Sequence, residues 1–206
     1  MRCWIRSLSL SFLVALPAAS VLAQEKGKPA QDPKAEAMMA AYKKAGAVTE
    51  NHKILEPFIG EWTTASKVWM DPGAPPIDCT GTASAKSIFD GRFIQSEHRG
   101  TFMGEAFVGI ATTGYDNLKQ KYVSTYIENG STAITWAEGT YDKATKTFTF
   151  AGQMDDPTAG AKVPFRFTEK LVDKDRIAFE WFETRDGKET RMMELTYTRK
   201  ATGSAK

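Results

Sequence analysis

The sequence predicts an all-β fold: an up-and-down antiparallel β-barrel of about ten strands, preceded by one or two short α-helices. Three observations carry this reading. Residues 61–200 run as short alternating segments rich in Thr, Val, Phe, Tyr and Trp. Turn signals interrupt them roughly every 12 residues: Asp71-Pro72-Gly73, Asp90-Gly91, Met103-Gly104, Asp116-Asn117, Asn129-Gly130, 142–145, 157–160, 173–175 and Asp186-Gly187. The connections are too short for parallel crossovers, so successive strands run up and down in chain order. Such a meander either stays an open sheet with two adhesive edges or closes on itself, and closure removes the edges. A two-sheet sandwich is the competing architecture.

The first element is an expected signal peptide over residues 1–23. Arg2 and Arg6 precede an uncharged apolar run, 8–16, and small residues lead to Val21-Leu22-Ala23. The run is far shorter than the ~20 residues that span a bilayer, so export with cleavage after Ala23 is expected, with a periplasmic or secreted product and no stable membrane insertion. The segment contains two of the chain's 27 bases and none of its 25 acids, so the mature chain is formally neutral. With no run of bases, nucleic acid is not an expected partner. Cys3 leaves with the signal and Cys79 remains alone, which excludes an intrachain disulfide.

Residues 24–31 read as a flexible linker with little to bury. A helical segment follows over 32–59. Asp32 is placed to cap, Pro33 suits the first helical position, Lys43 and Lys44 fall in the last turn and Gly46 can end the helix. Ala35, Met38, Met39, Tyr42 and Ala45 form an apolar stripe suited to covering another element. Thr49 can cap a shorter helix reaching Leu55, which Pro57 would stop. The barrel domain is expected over 60–200, with a disordered tail over 201–206.

Gly60-Glu61-Trp62 opens the first strand after a short helix and matches the G-x-W signature of lipocalin-like barrels. Gly lets the chain bend sharply and Trp can plug a closed end. In an even-stranded meander the last strand runs antiparallel beside the first, which puts Arg199 near Trp62, where cation–π stacking gives the pair a reason. Gly60, Trp62 and Arg199 are therefore the expected structural residues of the seam. The chain also resembles the exported bacterial family known only as domain of unknown function fifteen seventy-nine. The resemblance rests on 52–55 with Gly60-Glu61-Trp62, then Gly91-Arg92-Phe93-Ile94, Gly114-Tyr115-Asp116, Tyr122-Val123-Ser124-Thr125, Glu138-Gly139-Thr140-Tyr141-Asp142, Asp156-Pro157 and 193–200. The family tends to have Trp and Asp where this chain has Tyr126 and Glu128. The resemblance implies the barrel and carries no activity.

Candidate chemistry is sparse. His52 and His98 are the two histidines, and with Cys79 they do not make the three or four clustered ligands that zinc requires. A haem would need His98 to point inward, and a surface or satisfied histidine is the default. No nucleophile elbow, P-loop or dinucleotide fingerprint occurs, so no metal, cofactor or catalytic residue is assigned. Glu97, Glu138, Glu169 and Glu194 each continue an alternating strand. Trp136 shares a face with Glu138, and Val163, Phe165 and Phe167 share one with Glu169. If those faces turn inward, carboxylates enter the barrel and need partners such as Arg99 or Arg166. A ten-strand barrel can leave room for one small ligand. The expected function is binding of a small apolar or aromatic molecule, with Trp62, Glu97, Trp136, Glu138, Trp181 and Glu194 as candidate lining. The alternatives are an isomerase or lyase using interior Glu and Arg, and a non-catalytic scaffold with a filled barrel. Ligand identity and oligomeric state stay open.

Overall fold

The computed structural model describes residues 32–158 and 160–201. The expected signal peptide, the linker and all but the first residue of the tail lie outside the described residues. Helix α1 spans Pro33–Ala45 and α2 spans Glu50–Lys53, followed by a 3-10 turn, Glu56–Phe58. Ten strands follow: β1 Gly60–Val68, β2 Ile77–Ile88, β3 Phe93–Phe102, β4 Glu105–Asp116, β5 Lys121–Glu128, β6 Thr135–Asp142, β7 Thr147–Asp156, β8 Ala161–Asp173, β9 Arg176–Arg185 and β10 Lys188–Arg199. They close in the order β1-β10-β9-β8-β7-β6-β5-β4-β3-β2, so this is the closed antiparallel meander that the alternation and turn spacing predict.

The tight hairpins follow from their turn residues. Met103 and Gly104 have φ of 50° and 87°, and Asp186 and Gly187 have 52° and 73°. Two central residues at positive φ match the right-handed twist of the flanking strands. Phe102 is thus set opposite Glu105, and Arg185 opposite Lys188.

The seam between β1 and β10 sets Trp62 opposite Arg199. The guanidinium carbon lies 4.0 Å from the Trp62 ring centroid. Arg199 also donates to the carbonyls of Ile59 at 2.8 Å, Pro57 at 2.7 Å and Lys174 at 2.9 Å. Gly60 has φ of 140°, and a Cβ there would collide with the Arg199 guanidinium, so the chain needs glycine where it bends into the barrel.

The pre-barrel segment plugs the end where β1 starts. Thr49 and His52 form a reciprocal capping box, and His52, Leu55 and Phe58 are buried. Trp62 is 1% exposed, and its indole N–H donates to the Phe58 carbonyl at 3.1 Å. The Tyr122 hydroxyl donates to the Asn51 carbonyl at 3.0 Å. The helical stripe behaves differently from expectation: no residue of α1 is buried, and Met38, Met39 and Tyr42 stay exposed.

Candidate functional site

The interior is defined by which alternating set each strand turns inward. On β7 and β8 that set is Phe148, Phe150, Gly152, Met154 and Val163, Phe165, Phe167, Glu169. Cross-strand register carries it around the barrel. Phe150 faces Gly139, so β6 turns Ala137, Gly139 and Tyr141 inward; Gly109 faces both His98 and Glu128, so His98, Tyr126 and Glu128 are inward too. On β9 and β10 the inward residues include Ile177, Phe179, Trp181, Leu195 and Tyr197.

This parity corrects four candidates. Trp136 and Glu138 lie on the outer face, because the small residues Ala137 and Gly139 occupy the inside beneath Phe150. Trp136 is 45% exposed under the Lys119 ammonium, and Glu138 pairs with Lys119 and Lys121. Those ammonium groups hold the Glu138 carboxyl below its usual range. Glu97 also faces out and pairs with Arg99, while Glu194 sits opposite Lys67 and pairs with Arg191 at 3.1 Å. Trp62 does face in, but it is sealed within the plugged end. Trp181 alone of the candidate lining set faces the lumen with surface to offer.

An aromatic wall runs along the inside of β7–β9. The Phe150 and Phe167 rings stack at 4.8 Å, Phe165 and Trp181 at 4.4 Å, and Phe167 and Phe179 at 5.5 Å. Phe148, Phe150 and Phe165 are fully packed. Phe179, Trp181 and Leu195 keep accessible surface although they point inward, and so do Thr64, Ser66, Cys79 and Ser96 across the lumen.

A polar group faces this wall. The His98 ring meets Tyr126 at 6.4 Å and Tyr197 at 5.9 Å, both edge to face. A Cβ at position 109 would run into the Tyr126 ring, so glycine there lets that ring lie across the lumen. Burial lowers His98 to a pKa of about 4 and raises Glu169 to about 7. Burial likewise pushes up the Tyr197 hydroxyl, with Glu169 and Tyr126 adding to it, and the Tyr126 hydroxyl, with Glu128 adding to it. At neutral pH His98 and both tyrosines are uncharged, and Glu169 is near its midpoint.

Among the described residues, no side chain or backbone group hydrogen-bonds to the His98 ring or the Glu169 carboxyl. Among the same residues, no fully occluded polar side-chain atom lacks a partner. The polar atoms of His98 and Glu169 therefore border free space inside the barrel, although protein surrounds both residues. At the rim, Trp181 donates to Glu183 at 3.2 Å, and Arg185 bridges Glu183, at 2.7 Å, and Asp156. Arg99 and Arg166, the expected interior partners for a carboxylate, are on the outside; Arg166 pairs with Glu189 at 2.8 Å and stacks on Phe182.

The sequence points to Trp181 and Glu169, and to Phe179 among the large apolar residues, but it gives no role to Tyr126 or Tyr197, and His98 reads there as a surface or satisfied histidine. The signal that would have found them is register. Once the apolar set Val163, Phe165, Phe167 is taken as inward, hairpin pairing fixes the parity of each neighbouring strand in turn.

Comparison with known proteins agrees with this architecture. The model of a protein family of unknown function (DUF1579) matches residues 47–199. The chain belongs to that family. The match begins just before α2 and ends at Arg199, so it takes in the plug, every strand and the seam. The crystal structure of Rv2717c from M. tuberculosis is similar, with a TM-score of 0.55 and 12% identity over 75% of this chain and 100% of that one. At that identity it shares the fold alone. A protein of unknown function from the DUF3598 family of Nostoc punctiforme aligns with 6% identity over 74% of this chain and 100% of that one, at a TM-score of 0.22, too low to carry any argument. No curated protein matches.

Proposed function

We propose that this family member is exported and binds a small, largely apolar or aromatic molecule inside the barrel. One observation carries the reading: Phe179 and Trp181 face inward yet keep accessible surface, while Trp62 and Phe148 at the plugged end are each packed to 1% exposure. Unfilled apolar wall beside a few convergent polar groups is the usual make-up of a small-molecule site. A ligand of ~10 heavy atoms supplies at most several kcal/mol, so micromolar affinity is expected. Native mass spectrometry of the protein from its own envelope should show a co-purifying compound, or panels of fatty acids, phenols and haem should change tryptophan emission saturably. Trp181→Ala should weaken that response. If no compound binds and the lumen proves filled, the barrel is a scaffold.

Export rests on Arg2, Arg6, the apolar run 8–16 and Val21-Leu22-Ala23. The intact mass of the periplasmic or secreted protein should begin at Gln24, and a retained Met1 would contradict it.

A further inference from the structure

The lumen is one-sided in charge. Glu169 and Glu128 face it, and Glu183 and Asp156 stand at its rim. Among the described residues the bases at its two ends are already engaged: Arg185 by Asp156 and Glu183, and Arg199 by Trp62 and three carbonyls. The remaining lysines and arginines of the strands face outward or sit at the turns. The aromatic wall adds to this sign, because ring faces carry the negative end of their quadrupole. At its centre Glu169 is enclosed, has no hydrogen-bond partner among the described residues and lies opposite Phe148 on β7 and Phe179 on β9.

We propose that the ligand is an organic amine, a cation with an apolar or aromatic body, whose ammonium group sits against the Glu169 carboxylate and the neighbouring Phe179 and Tyr197 rings. This rests on the lumen being the binding site. The ammonium supplies the charge partner and donors that Glu169 lacks, ring faces attract it, and the apolar body lies along Phe167, Phe179 and Trp181. An anion such as a fatty acid finds hydroxyl and imidazole groups there but, among the described residues, no free positive charge, and it is repelled by the carboxylates. A neutral alcohol gains the apolar contact but no ion pair.

Burial alone raises Glu169 to about 7, so below that pH its carboxyl must release a proton to solvent before it can pair with a cation. Tyr197 on β10 is the ionisable group facing it, with Tyr126 on β5 and His98 on β3 in the same polar group. The two tyrosines titrate above the physiological range and His98 near 4, so none of them changes charge between pH 5.5 and 8.

Three probes of one shape test the proposal by titration calorimetry: 4-phenylbutylamine, 4-phenylbutanol and 4-phenylbutanoate. At pH 8 the amine should bind about tenfold or more tighter than the alcohol, the scale of one charge-assisted hydrogen bond, and the anion should bind weakest. The amine's advantage should shrink on going to pH 5.5, and Glu169→Gln should erase it while sparing the alcohol. An amine that binds no better than the alcohol, or an advantage that is the same at pH 5.5 and 8, overturns the proposal and leaves the lumen a binding site. Binding of none of the three at millimolar concentration removes both readings.

Discussion

The same ten strands build two unlike interiors. At the plugged end, Trp62, Phe148, Tyr122, Leu55 and Phe58 interlock, and their polar atoms are satisfied: the Trp62 N–H by Phe58, the Tyr122 hydroxyl by Asn51, the Arg199 guanidinium by three carbonyls. In the other half the β8–β9 wall is stacked, with Phe165 against Trp181 at 4.4 Å, but the strands across from it turn small residues inward, Thr64, Ser66, Cys79 and Ser96. The His98 ring, and the Glu169 carboxyl at the boundary opposite Phe148, have no hydrogen-bond partner among the described residues. The difference comes from the pre-barrel segment, which supplies the plugged end with a second layer of side chains. Stability should therefore reside in the plug and seam, and specificity in the half left unfilled, where unsatisfied polar groups cost folding free energy and gain from a ligand.

The largest expected effect is at the seam. Trp62→Ala removes a fully packed indole and should cost roughly 3–5 kcal/mol in urea unfolding. Arg199→Ala should cost about 2 kcal/mol, and the two losses should fall short of additivity because the side chains touch. Additive losses in the double-mutant cycle would mean that the stacked pair does not couple β10 to the plug.

Next comes the pH dependence of stability, which reads the unfilled half. His98 has its folded pKa lowered from 6.5 to about 4, so its contribution is present above 6.5 and is lost as pH falls toward 4. Glu169 has its folded pKa raised from 4.5 to about 7, so its contribution is present below 4.5 and is lost as pH rises toward 7. The slopes are opposite and overlap between 4.5 and 6.5, where they should cancel. Glu169→Gln should uncover the histidine slope: stability should then climb with pH across that window by up to ~1.4 kcal/mol per unit relative to wild type. An unchanged pH profile would show that Glu169 is ordinarily solvated and that the two halves do not differ as described.

The smallest effect should be on the outer face. Trp136→Ala should change stability by about 0.5 kcal/mol or less and leave ligand binding intact, and Glu138→Gln should be equally silent in binding. Loss of binding in either would place the ligand outside the barrel.

The contrast between the halves was only partly legible in the sequence. Turn dipeptides and alternation carried the strand count and the closure, and the G-x-W signature with an even number of strands put Arg199 beside Trp62. All of these are local signals or follow from counting. Which face of β6 turns inward is not local. Trp136-x-Glu138 and Ala137-x-Gly139 alternate equally well, and hydrophobicity favours the wrong pair. The small residues face in because Phe150 occupies the space over Gly139, and that becomes visible only once the turn over 142–147 fixes the register. For the same reason His98 reads as a surface histidine until Gly109 is seen opposite it.

The central claim is that the half beyond the plug contains free apolar space. The most direct measurement is a crystal structure of the protein pressurised with xenon, which occupies apolar cavities large enough to admit it. Xenon should appear beside Phe179, Trp181 and Leu195 and not near Trp62 or Phe148. A lumen without xenon, with the Trp181 and Tyr126 rings closed against the opposite wall, would contradict the claim.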